Sequence, residues 1–327
     1  MSHNNCSDKN LILGLVRGYN FEQIEPFLLS LKKTTFQGDV CFLVSQIDKR
    51  TINEISKYKV RIYPFNEFNL NFFGTSIYGY QILDKIYKLN SINKIYDLNK
   101  LYTQTVNNLS SLFSDKYLTK ASIIKNFLNV YCIRYPLYYI YLSKYGKHYS
   151  NVMLTDVRDV LFQDDPFNFT FNDCICNFIE DNQHHTLSSC NINSSWLTEA
   201  FGEQAVAELG NQKILCSGVT IGTRSSIMIY LQSMIDKLTQ LKAHRVGGID
   251  QGIHNYIIYK NLAENVKLMR NYDRPVLTIR YEEEMLFNDD GFLVNSDGTV
   301  INVIHQYDRL QEYDKSLEDR ILTLLTR

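Results

Sequence analysis

The chain has 327 residues, 45% of them apolar, with 34 basic residues against 35 acidic ones for a net charge of −1. That length and composition support a large core, as one big α/β domain or one domain with an appendage. The missing basic excess argues against nucleic acid as a partner. Seven scattered cysteines, an odd number with several inside apolar runs, read as reduced thiols. No apolar run approaches the ~20 residues that a membrane-spanning helix needs. The N-terminal MSHNNCSDKN is polar and lacks a signal-type apolar region. A cytoplasmic location is therefore expected, with peripheral membrane contact left open.

In chain order, LILGLV (Leu11 to Val16) is a short continuous apolar run, the pattern of a buried strand, and RGYN marks its end. FEQIEPFLLSLKKT has helical spacing through Phe21, Ile24, Phe27 or Leu28, and Leu31. DVCFLVS, KRTINEISKY and KVRIYPF continue the alternation as strand, helix, strand, which opens a mostly parallel sheet flanked by helices. Residues 66–120 have broken periodicity and read as an insertion of loops and short helices beside the sheet. Lys120 to Gly146 reads as a helix that Pro136 can interrupt and Gly146 ends. NVMLTD follows as a central strand, and CICNFIED as another. SSWLTEAFGEQAVAELG is expected to be helical, capped by Ser194 or Ser195 and stopped by Gly210. ILCSGVTIGT is a strand, followed by two helices around Met228 and Tyr256. VKLMR, VLTIR, GFLV and TVINVIH are short strands, and SLEDRILTLLT is a closing helix. The whole chain, 1–327, reads as one domain.

The segment NVMLTDVRDVLFQDDPF concentrates the chemistry. Ligands of open α/β sheets bind beyond the C-terminal ends of strands, and Asp156 stands at such an end with Asp159 three residues on. Carboxylates there suit a hard divalent cation such as Mn²⁺ or Mg²⁺, which in turn holds a diphosphate. Arg158 can pair with a carboxylate or a phosphate. The plainer alternative makes the two aspartates turn caps and Arg158 their surface partner.

LTDVRDVLFQDDPF resembles the nucleotide-sugar-binding segment of GT-A glycosyltransferases, where an Asp-x-Asp motif at a strand end is often followed by an apolar triplet and DPF. Here two residues separate the aspartates instead of one. The resemblance extends to LCSGVTIGT, GGIDQGIHNYII, INVIHQYDR, GLVRGYN and CIRYPLYYIYL, and so covers most of the chain outside 66–119. It implies a GT-A fold and a hexosyltransferase that moves a sugar from a nucleoside-diphosphate sugar, on family habit a UDP-sugar. The acceptor is a hydroxyl of a glycan, glycolipid or glycoprotein, and the family pattern leans to retention over inversion. The metal set becomes Asp156, Asp159 and His305, for Mn²⁺ or Mg²⁺. Arg17, Gly18, Arg134, Asp156, Gly218 and Gln251 contact the donor. Asp250 and Arg158 are the catalytic candidates.

Several of these residues also have simpler readings. Asp250, after two glycines, can be a helix N-cap. Gly218 can be a bulge, and Arg17 can pair with Glu22 or Glu25. Glu180 and Asp181 end a strand at the same face and are acceptor-binding candidates, as is Trp196, which core burial also explains. His184 and His185 lie in a polar loop, ill-placed as a metal pair. Two rival functions remain at this stage. A sugar-phosphate nucleotidylyltransferase would show a glycine-rich loop after the first strand, and RGYN is poor in glycine. A sugar-binding protein of the same fold would have lost the chemistry.

Overall fold

The computed structural model describes residues 9–72, 75–93, 98–180, 183, 185–240, 247–282, 284–312 and 315–326. Asp181 and His184 lie outside the described residues. Strand β1 (Lys9–Arg17) is apolar and largely buried, and leads into helix α1 (Phe21–Lys32). Asn20 and Gln23 form a reciprocal capping box that fixes the start of α1. Strand β2 (Asp39–Ser45), helix α2 (Lys49–Ser56) and strand β3 (Arg61–Pro64) follow as the spacing predicts. Asp48 caps α2 by accepting from the Thr51 N–H.

The segment read as loops and short helices is more regular than expected. It holds an antiparallel hairpin of β4 (Asn69–Phe72) and β5 (Thr75–Tyr78). Helices α3 (Gly79–Asn93) and α4 (Leu98–Ser111) come next, then α5 (Lys116–Ile124) and α6 (Val130–Tyr145). The helix break falls at 125–129 and not at Pro136, which sits inside α6. Asn129 decides this, because its side chain accepts from the N–H groups of Tyr131 and Cys132 and starts a fresh helix.

Strands β6 (Tyr149–Thr155), β7 (Val160–Phe162) and β8 (Ile175–Ile179) come next. Helix α7 (Asn191–Phe201) begins three or four residues before the expected serine caps. Gly202, at φ 84°, separates it from α8 (Glu203–Leu209). Strand β9 (Leu215–Thr223) and helices α9 (Arg224–Gln240) and α10 (Ile249–Lys260) follow. Strands β10 (Val266–Met269), β11 (Val276–Thr278) and β12 (Val303–His305) and helix α11 (Lys315–Thr326) complete the chain. GFLV is not a strand and makes only isolated bridges, Phe287 with Leu293 and Val294 with Val300. VLTIR is a strand only through Thr278, and a 3₁₀ turn follows.

The main sheet has the order β10-β8-β9-β6-β1-β2-β3. Only β9 runs against its neighbours, pairing antiparallel with β6 and β8. A second sheet has the order β11-β12-β7. This is an α/β fold with a mixed, mostly parallel sheet flanked by helices. One apolar layer packs α6, α9 and α10 on one face of the sheet, and a second packs α1 on the other. No helix among the described residues is long and apolar enough to cross a membrane.

Candidate functional site

Strand direction brings the site together. β6 ends at Thr155, so Asp156 emerges at the C-terminal edge of the sheet. Because β9 is antiparallel, its beginning lies at that same edge. Thr155 pairs with Val219, and the Asp156 N–H donates to the Gly218 carbonyl at 2.7 Å. β8 ends there too, placing Glu180 beside the start of β9 through its N–H to the Ile214 carbonyl at 2.9 Å. The second sheet supplies the histidine. β7 and β12 run antiparallel with Val160 opposite His305, so the imidazole arrives next to Asp159. Gln306 then adopts φ 60°, uncommon for a residue with a side chain. Its N–H donates to the Asp159 carbonyl at 2.8 Å and ties the end of β12 to the aspartate loop.

Ligand atoms of Asp156, Asp159 and His305 lie within 4.8 Å of one another. His305 Nε2 is 3.9 Å from Asp156 Oδ2 and 4.0 Å from Asp159 Oδ2. His305 is 1% exposed, yet its Nε2 has no hydrogen-bond partner, while Nδ1 lies 3.5 Å from the Cys216 sulfur. An orphaned buried nitrogen facing two carboxylates fits a divalent cation with mixed oxygen and imidazole donors. Gly218 makes the room. A Cβ there would fall 2.5 Å from His305 Nε2 and 2.7 Å from Asp156 Oδ2. Gly218→Ala is therefore expected to weaken Mn²⁺ binding by roughly 10–100-fold, the effect of disturbing the support of a metal ligand. Calorimetric titration of the variant with Mn²⁺ measures this, and unchanged affinity would remove Gly218 from the cradle.

The carboxylates and the imidazole of this cluster shift one another's protonation. Burial pushes the Asp159 carboxyl up to about 6, against the pull of His305 and with help from Asp156. Asp156 keeps 38% of its side chain exposed and borders the pocket. The solvation it loses is outweighed by Arg134 and His305, so its carboxyl is held below the usual range. Burial opposes a proton on His305, but the Cys216 sulfur and both carboxylates hold its proton affinity well above normal.

Arg134 is the second organising group. It projects from α6, with Nη1 2.5 Å from Asp156 Oδ1 and Nη2 2.5 Å from Asp250 Oδ2. Tyr135 also donates its hydroxyl to Asp250 Oδ2, at 3.1 Å. Asp250 is not the N-cap of α10. Gly248 is, at φ 84°, and Asp250 points from the first turn into the pocket. Its neighbour Gln251 donates to Glu180 Oε2 at 3.2 Å and to Asn193 Oδ1 at 2.9 Å. Gln306 donates to the other Glu180 oxygen at 3.3 Å. Glu180 is thus clamped by neutral amides, and burial raises its carboxyl above the usual range.

These groups line one pocket of about 450 Å³. Arg17, Arg134, Asp156, Arg158, Asp159, Glu180, Trp196, Gly218, Asp250, Gln251 and His305 all border it. Gly18 does not. Its left-handed φ of 69° turns the chain so that Tyr19 does. Arg158 makes its ion pair with Asp308 Oδ2, at 2.9 Å, and acts on Asp159 beside it only through its charge. Arg17 pairs with Glu67 at 2.7 Å, not with Glu22 or Glu25, and lies 5.5 Å from the centre of the Tyr78 ring. Both partners come from the segment left outside the site by sequence reasoning. His185 does not border the pocket. Tyr131, Tyr135, Asn193, Arg280, Gln306 and Arg309 were not foreseen. The one hint for Gln306 and Arg309 was their place directly after the late histidine.

The fold and the cluster together define an α/β protein with a candidate divalent-cation site. No protein-family model matches the chain, and no curated protein matches it. Among solved structures, the chain is similar to core-mannan synthase A from Aspergillus fumigatus in its Mn/GDP form. The identity is 11% and the TM-score 0.40, over 82% of this chain and 74% of that one.

Proposed function

We propose that this chain is a glycosyltransferase that moves a sugar from a nucleoside-diphosphate sugar, a UDP-sugar as the first choice, to an acceptor hydroxyl. The observation that supports it most is the meeting of Asp156, Asp159 and His305 within 4.8 Å at the C-terminal edge of the sheet, in the pocket that also holds Arg134 and Asp250. Mn²⁺ or Mg²⁺ held by those three residues would neutralise charge on the departing diphosphate.

The remaining roles fall to the protein's own groups. Arg17 and Tyr19, at the end of β1, border the pocket where the nucleoside would lie. Gly218 leaves space for the sugar beside the carboxylates. Arg134 fixes Asp156 and Asp250 relative to each other through its two ends. Both hydrogen bonds from Arg134 and Tyr135 meet Asp250 at Oδ2, which leaves Oδ1 to accept from a sugar or acceptor hydroxyl. Glu180 and Gln251 face the same space and suit sugar hydroxyls. Arg158, at the mouth, adds positive charge near the diphosphate.

The test is thermal unfolding with UDP-, GDP-, CMP- and dTDP-sugars, each with Mn²⁺, with Mg²⁺ and with chelator. A donor at 100 times its Kd is expected to stabilise the native state by about 2.7 kcal/mol, and only when a cation is present. Folded protein that no nucleotide sugar stabilises would overturn the proposal.

A further inference from the structure

One wall of the pocket carries exposed apolar side chains. Tyr131, the second residue of α6, is 53% exposed, and Ile192 on α7 is 49% exposed. Both border the pocket, and half-buried Trp196 lies on the same wall. Large apolar side chains left exposed inside a pocket call for a ligand. The backbone here is shaped around the two rings. A Cβ on Gly247 would lie 3.2 Å from the Tyr131 ring, and one on Gly248 would lie 2.2 Å from the Trp196 ring. Gly248 also needs its positive φ of 84° to start α10. The two glycines therefore let the rings and Asp250 occupy one wall.

We propose that Tyr131, Ile192 and Trp196 form an acceptor subsite for a pyranose ring, so that the acceptor is a saccharide. The inference rests on the transferase reading and narrows its acceptor. A pyranose has an apolar C–H face and a rim of hydroxyls. The wall offers both complements: aromatic and aliphatic surface to the face, and Asp250, Gln251 and Asn193 to the rim. A lipid chain would need a continuous apolar strip, and these polar groups interrupt it. Aromatic residues supply such contact area at low cost in side-chain entropy.

Trp196 is the chain's only tryptophan, so its emission reports on this wall alone. The full chain, with Mn²⁺ and either UDP or GDP, is titrated with methyl pyranosides and with gluco-, manno- and galacto-disaccharides. At least one is expected to change the Trp196 emission saturably. Tyr131→Ala keeps the fluorophore and removes an exposed ring, and should weaken that saccharide on the order of 10-fold. Trp196→Ala should raise the saccharide's KM by a similar factor, with Trp196→Phe restoring most of it. If nucleotide sugars stabilise the protein while no saccharide moves the emission, or only polyprenyl-phosphate vesicles do, the saccharide subsite is wrong and the transferase reading stands. If Tyr131→Ala leaves saccharide affinity intact, the subsite is equally overturned. If no nucleotide sugar binds, the transferase reading is what fails.

Discussion

Asp159→Asn is expected to lower sugar-transfer turnover by about 10²–10³-fold, the scale seen when one preorganised charge-stabilising group is lost, and to leave the protein folded. Both halves follow from the same burial. Asp159 is 8% exposed and its carboxyl is pushed up to about 6. A carboxyl raised in the folded state favours folding fully below its unfolded pKa. That advantage is lost as pH rises through the folded value. In cation-free protein near neutral pH, charged Asp159 therefore costs stability. Asparagine has nearly the same shape and carries no charge. The variant without cation should be as stable as the parent or more so, and it should lose most of the stabilisation that Mn²⁺ confers. Urea unfolding with and without Mn²⁺, beside turnover with the donor found in the screen, measures all three. Full turnover in the variant would take Asp159 out of the site. A large loss of cation-free stability would show that its charge is already compensated inside the protein.

The reach of the sequence follows the range of the physics involved. The strand of Leu11 to Val16 and the one leading to Asp156 were legible because burial on both faces demands a continuous apolar run. The fold class followed from their alternation with helices. Meetings between distant residues were legible only through resemblance, since nothing local in VIHQY indicates that antiparallel pairing with β7 carries His305 to Asp159. Residues 66–120 misled for a related reason. Their periodicity is broken, yet they build a hairpin that sets Glu67 and Tyr78 against Arg17. The helix break was misplaced because Pro136 is conspicuous, whereas the cap made by Asn129 is a single hydrogen-bonding side chain. Tyr131 was hidden among a run of tyrosines, most of which are core. Exposure separates it from them, and exposure is a tertiary property.

Arg134→Met is expected to cost about 3–5 kcal/mol of stability, because breaking a buried ion pair from one side leaves an uncompensated charge. The Asp250 side chain is 3% exposed and that of Arg134 is 10% exposed, so water replaces little of what is lost. Asp156 loses its partner too, but it opens on the pocket and suffers less. The double variant Arg134→Met with Asp250→Asn tests whether the cost comes from the stranded carboxylate. It should recover most of the stability, with a coupling well above the few tenths of a kcal/mol at which independent sites add. Turnover should not recover, since the groups proposed to position donor and acceptor are then both gone. Arg134→Lys sharpens the point. A guanidinium reaches two carboxylates at once, with Nη1 on Asp156 and Nη2 on Asp250, each at 2.5 Å. An ammonium is a point charge and cannot hold that fork. The lysine variant should keep much of the stability through Asp250 and still lose activity, because Asp156 is released from its fixed place beside the cation ligands. Urea unfolding and turnover on the three variants decide it. If the methionine variant proves as stable as the parent, the arginine bridge is not what organises the site.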